Sequence, residues 1–305
     1  MEEMSMLTEK TTPVLHRIGN EFLTVTASEQ GAELWSLKGR DGTEYLWQGN
    51  RTYWTERAPN LFPYVARLTE GSYWLDGKRW HMDIHGLAPY CRFQLTEKSD
   101  SRMTFQLTDS PDTRVRYPRR FAFRVRYALE GQQLKITYTV ENRDEKTMYF
   151  GLGGHPGFRV PLRERKHFTD YRLRFSHPCS PVRVGFTPDC FRSGRDEPFP
   201  LEEGRFLPLR HDLFDDDAIV LSQADREVTL EAEGDSRSIT VSCPQMPYLG
   251  LWHMPGTDAP YVCIEPWVSL PSEQGKVAVF EEQSDLITLE PDGEYENCWS
   301  ISVSG

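Results

Sequence analysis

The stretch Gly151-Leu152-Gly153-Gly154-His155-Pro156-Gly157-Phe158 sets one imidazole among glycines and beside a proline, directly after a run that reads as a buried strand. Glycine permits backbone angles and close approaches closed to other residues, and proline fixes the turn that follows. His155 is thus held rigidly where a small ligand could meet it. A second candidate is Glu265, which follows the apolar strand Tyr261-Val262-Cys263-Ile264 and precedes Pro266-Trp267. An unpaired buried charge is too costly to keep, so this carboxylate either pairs internally or faces a cleft. Two further stretches set a polar group beside Gly or Pro: Asn60–Arg67, with Pro63 and Arg67, and His85-Gly86. An imidazole and a carboxylate together suit proton transfer near neutral pH. The plainer readings stay open at this point, a strand-ending turn for His155 and a structural salt bridge for Glu265.

The elements that must position these groups are strands. Phe121, Phe123, Val125, Tyr127 and Leu129 alternate with Arg124 and Arg126, and Leu134, Ile136, Tyr138 and Val140 alternate after the turn at Glu130-Gly131-Gln132. That spacing predicts an antiparallel hairpin with one buried face and one wet face. Shorter strands are expected at 22–27, 32–37, 171–175, 218–221, 228–232, 238–243, 248–253, 261–265, 286–289 and 299–303. Helical periodicity is nearly absent, with at most short turns in 112–120 and 275–280. Pro59 and Pro63 argue against a helix or central strand across 58–67, and 163–210 reads as long loops around a few strands. No repeat or linker-like stretch divides the chain. The expectation is an all-β sandwich or barrel, one domain over residues 1–305 with about the first 15 a loose tail.

Composition narrows the partners. The 305 residues carry a net charge of -11 and a pI near 5.3, which argues against nucleic acid or an anionic membrane. No apolar run approaches a bilayer span and the acidic start lacks a secretory pattern, so a cytoplasmic location is expected. The six cysteines form neither a C-x-x-C pair nor a dense framework, which points to free thiols and to no zinc cluster. His211 and His253 lie near acidic residues but lack ligand spacing on one element, so no metal is expected. The glycines at 151–154 are not a phosphate loop, because no Lys-Ser/Thr and no helix follows. The arginines of 114–126 and 159–174 read mainly as strand and loop exteriors, the alternative being that one or two reach the cleft and hold a sugar phosphate.

Taken together, Pro63 and Arg67 followed by Gly71 and Asp76-Gly77, then His85-Gly86, then Gly153-Gly154-His155-Pro156 with Phe158, then Cys263-Ile264-Glu265-Pro266-Trp267 resemble the aldose 1-epimerase (galactose mutarotase) family, most closely its LacX-like branch. Order and spacing agree over about residues 20–303. The resemblance implies a large antiparallel β-supersandwich and interconversion of the anomers of a free hexose, without metal or cofactor. It implies His155 as general acid and Glu265 as general base, on opposite sides of the hemiacetal, with Arg67 and His85 on sugar oxygens. An aspartate of that family grips sugar hydroxyls; the candidates here are Asp215, Asp216 and Asp217, with Asp217 the expected one, although an acidic run is ordinarily a solvated loop. Trp252 or Trp267 could stack on the sugar or belong to the core. Gly153-Gly154 stands where the classical mutarotases carry an asparagine, which puts the sugar's identity in doubt. The alternatives are a hexose-6-phosphate 1-epimerase and a non-catalytic carbohydrate-binding module on the same fold. The implied partner is a small-molecule aldose; oligomeric state is left open.

Overall fold

The computed structural model describes residues 13–305. The expected tail falls outside the described residues up to residue 12, and a strand not anticipated from the sequence already opens at Leu15–Gly19. Among the described residues the only α-helix is the four-residue turn Pro111–Arg114, and no helix is long and apolar enough to cross a membrane.

Two large sheets dominate. The nine-stranded sheet runs in the order Phe206–Pro208, Tyr171–Phe175, Glu227–Ala232, Ser238–Ser242, Glu294–Ser304, Gln133–Asn142, Phe121–Glu130, Arg102–Thr108 and Gln94–Lys98, all antiparallel. Its sixth and seventh strands form the anticipated hairpin, with Glu130 opposite Gln133 and Phe121 opposite Asn142. Phe121, Phe123, Val125, Leu134, Ile136, Tyr138 and Val140 are completely buried, as the alternation requires. The second sheet, of eight strands, follows the path Glu197–Pro198, Val182–Arg183, Ile219–Ser222, Tyr248–Trp252, Tyr261–Trp267, Gly153–Gly154 and Asn60–Leu61, with Gly157–Arg159 also pairing with Tyr261–Trp267. Smaller sheets of two and three strands complete the molecule.

The strand Tyr261–Trp267 is buried over its whole length. Alternation sends Val262 and Ile264 into the main core, which contains residues from Ile18 to Val303. The opposite face carries Tyr261, Cys263, Glu265 and Trp267. Tyr261 and Cys263 pack with Trp47 and Ala259 in one small cluster, and Trp267 packs with Leu61, Val65 and Val220 in another. Glu265 sits between the two clusters, at the break in the apolar cover.

The strand does not end at Glu265 as its Pro266 suggested. It continues to Trp267 because the neighbouring segment changes at that point: Gly157 pairs with Cys263 and Gly153 pairs with Trp267, while His155 and Pro156 between them belong to neither short strand. Pro266 lies opposite Gly154 in this register and pairs with Leu249 on its other side.

Candidate active site

The same interruption creates the site. Continuing the register from Gly157–Cys263 to Gly153–Trp267 puts His155 opposite Glu265. Side chains directly opposite on antiparallel strands are close neighbours. His155 Nε2 accordingly lies 3.3 Å from Glu265 Oε2. The His155 backbone N–H donates to the Pro59 carbonyl, 3.0 Å. The glycines of this stretch serve close packing rather than unusual dihedrals, since Gly151, Gly153, Gly154 and Gly157 are all absent from the residues with positive φ. A Cβ on Gly154 would lie 2.6 Å from the Trp299 ring, and one on Gly157 would press against Trp54 and Trp47.

Arg67 and His85 arrive by backbone stitching. The His85 N–H donates to the Ala66 carbonyl, 3.0 Å, and the Ala66 N–H donates to His85 Nδ1, 3.2 Å. Leu87 and Ala88 both donate to the Phe62 carbonyl. Gly86 adopts φ +83°, and a Cβ there would run into the Phe62–Pro63 peptide, so this crossing requires glycine. With Nδ1 accepting, a neutral His85 carries its proton on Nε2. Burial, assisted by the nearby Arg67 charge, pushes its pKa down to about 4 and keeps it neutral. The Arg67 carbonyl accepts from the Ser272 N–H, 3.0 Å.

These groups line one cavity of about 400 Å³, together with Asp216, Asp217, Trp252 and Trp267. The expected Asp217 is therefore present in it, whereas Asp215 lines a separate surface hollow with His211 and Asp258. Asp217 has φ +76°, and its Oδ2 accepts from the Cys190 thiol at 2.8 Å. Among the described residues, Arg67 is the only Lys or Arg lining the cavity, against the carboxyls of Glu33, Glu56, Asp216, Asp217 and Glu265.

Sequence reasoning missed Trp54, Cys190 and Glu56. Trp54 stacks on the His155 ring, centroids 4.8 Å apart and planes 29° apart, and Trp252 meets the same ring edge-on at 5.7 Å. Trp54 is itself held by the Trp47 indole N–H, which donates to its carbonyl at 2.9 Å. The only signal available was an aromatic cluster, Trp47, Tyr53 and Trp54, in a segment without periodicity. Trp252 and Trp267, left between sugar platform and core, both do double duty: each lines the cavity and packs in one of the small clusters.

The arrangement departs from the expectation in one respect. His155 and Glu265 stand side by side on one wall, not across the cavity from each other, because neighbouring antiparallel strands present them. Neither is fully satisfied: Glu265 Oε2 and His155 Nδ1 are buried without a hydrogen-bond partner. Burial, reinforced by the Asp217 charge, raises the Glu265 pKa well above the usual carboxylate range; the neighbouring Trp267 indole opposes this without making a well-aligned hydrogen bond. Burial, reinforced by His85, lowers that of His155 well below the usual imidazole value. Elsewhere, His211 Nδ1 and His253 Nε2 contact each other at 3.1 Å, all six cysteines are free, and the Asp76-Gly77 turn is structural, its carboxylate pairing with the buried Arg119 at 2.9 Å.

Comparison with known proteins identifies the family and the fold. The sequence profile of the family described as aldose 1-epimerase matches residues 14–302. The chromosomally encoded protein LacX of Lactococcus lactis subsp. lactis is 30% identical over 293 residues, covering 93% of this chain and 97% of that protein. The crystal structure of a galactose mutarotase-related enzyme from Lactobacillus acidophilus superimposes with a TM-score of 0.91 at 29% identity, covering 96% of this chain and 98% of the other. A galactose mutarotase-like protein from Lactobacillus casei ATCC 334 gives 0.89 at 33% identity, covering 95% and 100%. The fold is therefore the antiparallel galactose mutarotase-like β-sandwich, and the chain belongs to the aldose 1-epimerase family.

Proposed function

We propose that this protein interconverts the α and β anomers of a free, uncharged aldose by general acid–base catalysis at C1. The observation that carries the reading is the side-by-side pair of His155 and Glu265, 3.3 Å apart on the wall of a sugar-sized cavity. The hydroxyl O1 and the ring O5 are both bonded to C1, so two adjacent proton-transfer groups suit them better than two groups facing each other across the ring. Glu265 removes the O1 proton, His155 delivers one to O5, and the ring opens to the aldehyde. After rotation about C1–C2, the same groups run in reverse with their roles exchanged and close the ring on the other face.

Electrostatics support this cycle. The dyad needs one proton in total, on either partner. Burial disfavours the ionised form of each, so the empty site rests as neutral carboxyl and neutral imidazole. Sugar hydroxyls supply the donors that Glu265 Oε2 lacks and shift the shared proton towards His155. Ring opening then ends on the neutral arrangement that the dry site prefers, and ring closure returns the dyad to its ionised form. His85 offers Nε2–H to a sugar oxygen, Arg67 holds a second, and Asp217 accepts from a ring hydroxyl, so positioning lowers the barrier further. A cavity whose one arginine faces the carboxyls of Glu56, Asp216 and Asp217, besides Glu33 and the buried Glu265, favours a neutral sugar over a sugar phosphate.

The test is the polarimetric relaxation of α-glucose or α-galactose. Glu265→Gln and His155→Asn should each slow the enzymatic rate by about 10²–10⁴-fold, and the double variant little more than either one, because the two act as a unit. Wild-type rates in both variants refute the roles. Turnover of hexose 6-phosphates alone refutes the uncharged substrate.

A further inference from the structure

One buried group beside the site has no part in this cycle. Cys263 lies two residues before Glu265 on the same strand, so its side chain emerges on the same face. Its ladder neighbours are Gly157 on one side and Trp252 on the other, and the side chains of Trp54 and Trp47 close over the glycine. A ring nitrogen of His155, the Cys263 sulfur and a Glu265 carboxyl oxygen all lie within 4.8 Å of one another. The hydrogen-bond capacity of this group is unspent, with His155 Nδ1 and Glu265 Oε2 both buried and unpartnered.

One imidazole nitrogen, one thiolate and one carboxylate form a donor set suited to a thiophilic divalent cation, with a fourth position free for water. Zinc–ligand bonds of about 2.0–2.3 Å place tetrahedral donors roughly 3.5 Å apart, so rotations moving the side-chain ends by about 1 Å close the set. We propose that His155, Cys263 and Glu265 form a binding site for Zn²⁺ or a similar thiophilic divalent ion, and that occupation silences the proton-transfer pair. As the metal–sulfur bond forms, the Cys263 thiol proton passes to solvent together with any proton on Glu265. No oxidation state changes. The ion takes the imidazole lone pair and the carboxylate needed to move protons to and from the sugar, and it competes with the sugar for one wall of the cavity. Only the silencing rests on the function proposed above; the binding does not.

Cd²⁺ serves as the probe, because a cadmium–thiolate bond absorbs in the ultraviolet. Titration of the full chain should give one equivalent of charge-transfer absorption, displaced by Zn²⁺. Cys263→Ser and Cys263→Ala should abolish that equivalent, while Cys190→Ser retains it. In parallel, Zn²⁺ should suppress mutarotation and a chelator restore it. With the thiolate ligand removed, the Zn²⁺ concentration required should rise by at least about tenfold, with the metal-free rate of the Cys263 variants unchanged. Using two replacements guards against one that folds poorly. The proposal is overturned if no such absorption develops, if it survives both Cys263 replacements, or if it follows Cys190. If the protein turns over no sugar at all, the absorption titration still decides the metal site.

Discussion

The hairpin Phe121–Asn142 and the strand Tyr261–Trp267 are both deeply buried, yet they are built on opposite terms. In the hairpin the polar groups that reach the interior are satisfied: the Tyr127 hydroxyl donates to the Ala32 carbonyl at 2.7 Å, and the Tyr138 hydroxyl donates to Asn60 at 2.8 Å. The strand instead carries Glu265, 1% exposed, with an oxygen lacking a partner. One region maximises consistency between pattern and burial. The other keeps a local conflict that other contacts hold in place, and such conflicts collect at functional sites.

That contrast can be broken by substitution. The largest effect is the loss of about 10²–10⁴-fold in mutarotation for Glu265→Gln, with stability held or increased at neutral pH. The sign follows from the carboxyl's raised pKa: folding binds a proton that the unfolded chain releases above its ordinary value of 4.5, so Glu265 costs stability as pH rises, and glutamine removes that slope. Ile136→Ala, in the satisfied region, should do the reverse, costing about 2–5 kcal/mol in denaturant unfolding while the folded fraction keeps its rate. If Glu265→Gln unfolds the protein or Ile136→Ala abolishes turnover of folded protein, the division between the regions fails.

Smaller effects sharpen the comparison. Asp217→Asn removes a charge that raises the Glu265 pKa, so the alkaline limb of the rate profile should move to lower pH, besides any loss in KM. An unshifted limb would separate Asp217 from the dyad. His85 acts on the other side of neutrality. Its pKa is about 4 when folded against an ordinary 6.5, so the unfolded chain binds the extra proton in that window. Its contribution to stability is intact above about 6.5 and falls as pH drops towards 4. His85→Gln should flatten that part of a stability-versus-pH curve, and an unchanged slope would assign the acid lability elsewhere.

Much of the architecture was legible because burial on one face is written locally. The hairpin alternation at 121–140, the strand at Tyr171–Phe175 and the buried run at 261–264 need only period-two reading. Identification of His155, Glu265, Arg67 and His85 as candidates came from polar groups set against glycine, proline or a strand end, together with a family resemblance spanning nearly the whole chain. Of Asp215, Asp216 and Asp217 the sequence favoured Asp217; that Asp216 also lines the cavity while Asp215 lines another hollow was not legible, because an acidic run has no period. Trp54 was illegible for the same reason, lying in a segment without alternation.

By itself, the order of residues determined that the chain is a β protein, which faces its strands bury, and that an imidazole and a carboxylate stand in rigid surroundings. Only the tertiary structure decided that the two stand next to each other. That relation depends on the register between segments far apart in the chain, carried through the pairs Gly157–Cys263 and Gly153–Trp267 on either side of an unpaired His155. Register is a property of two strands together, and neither strand encodes it alone.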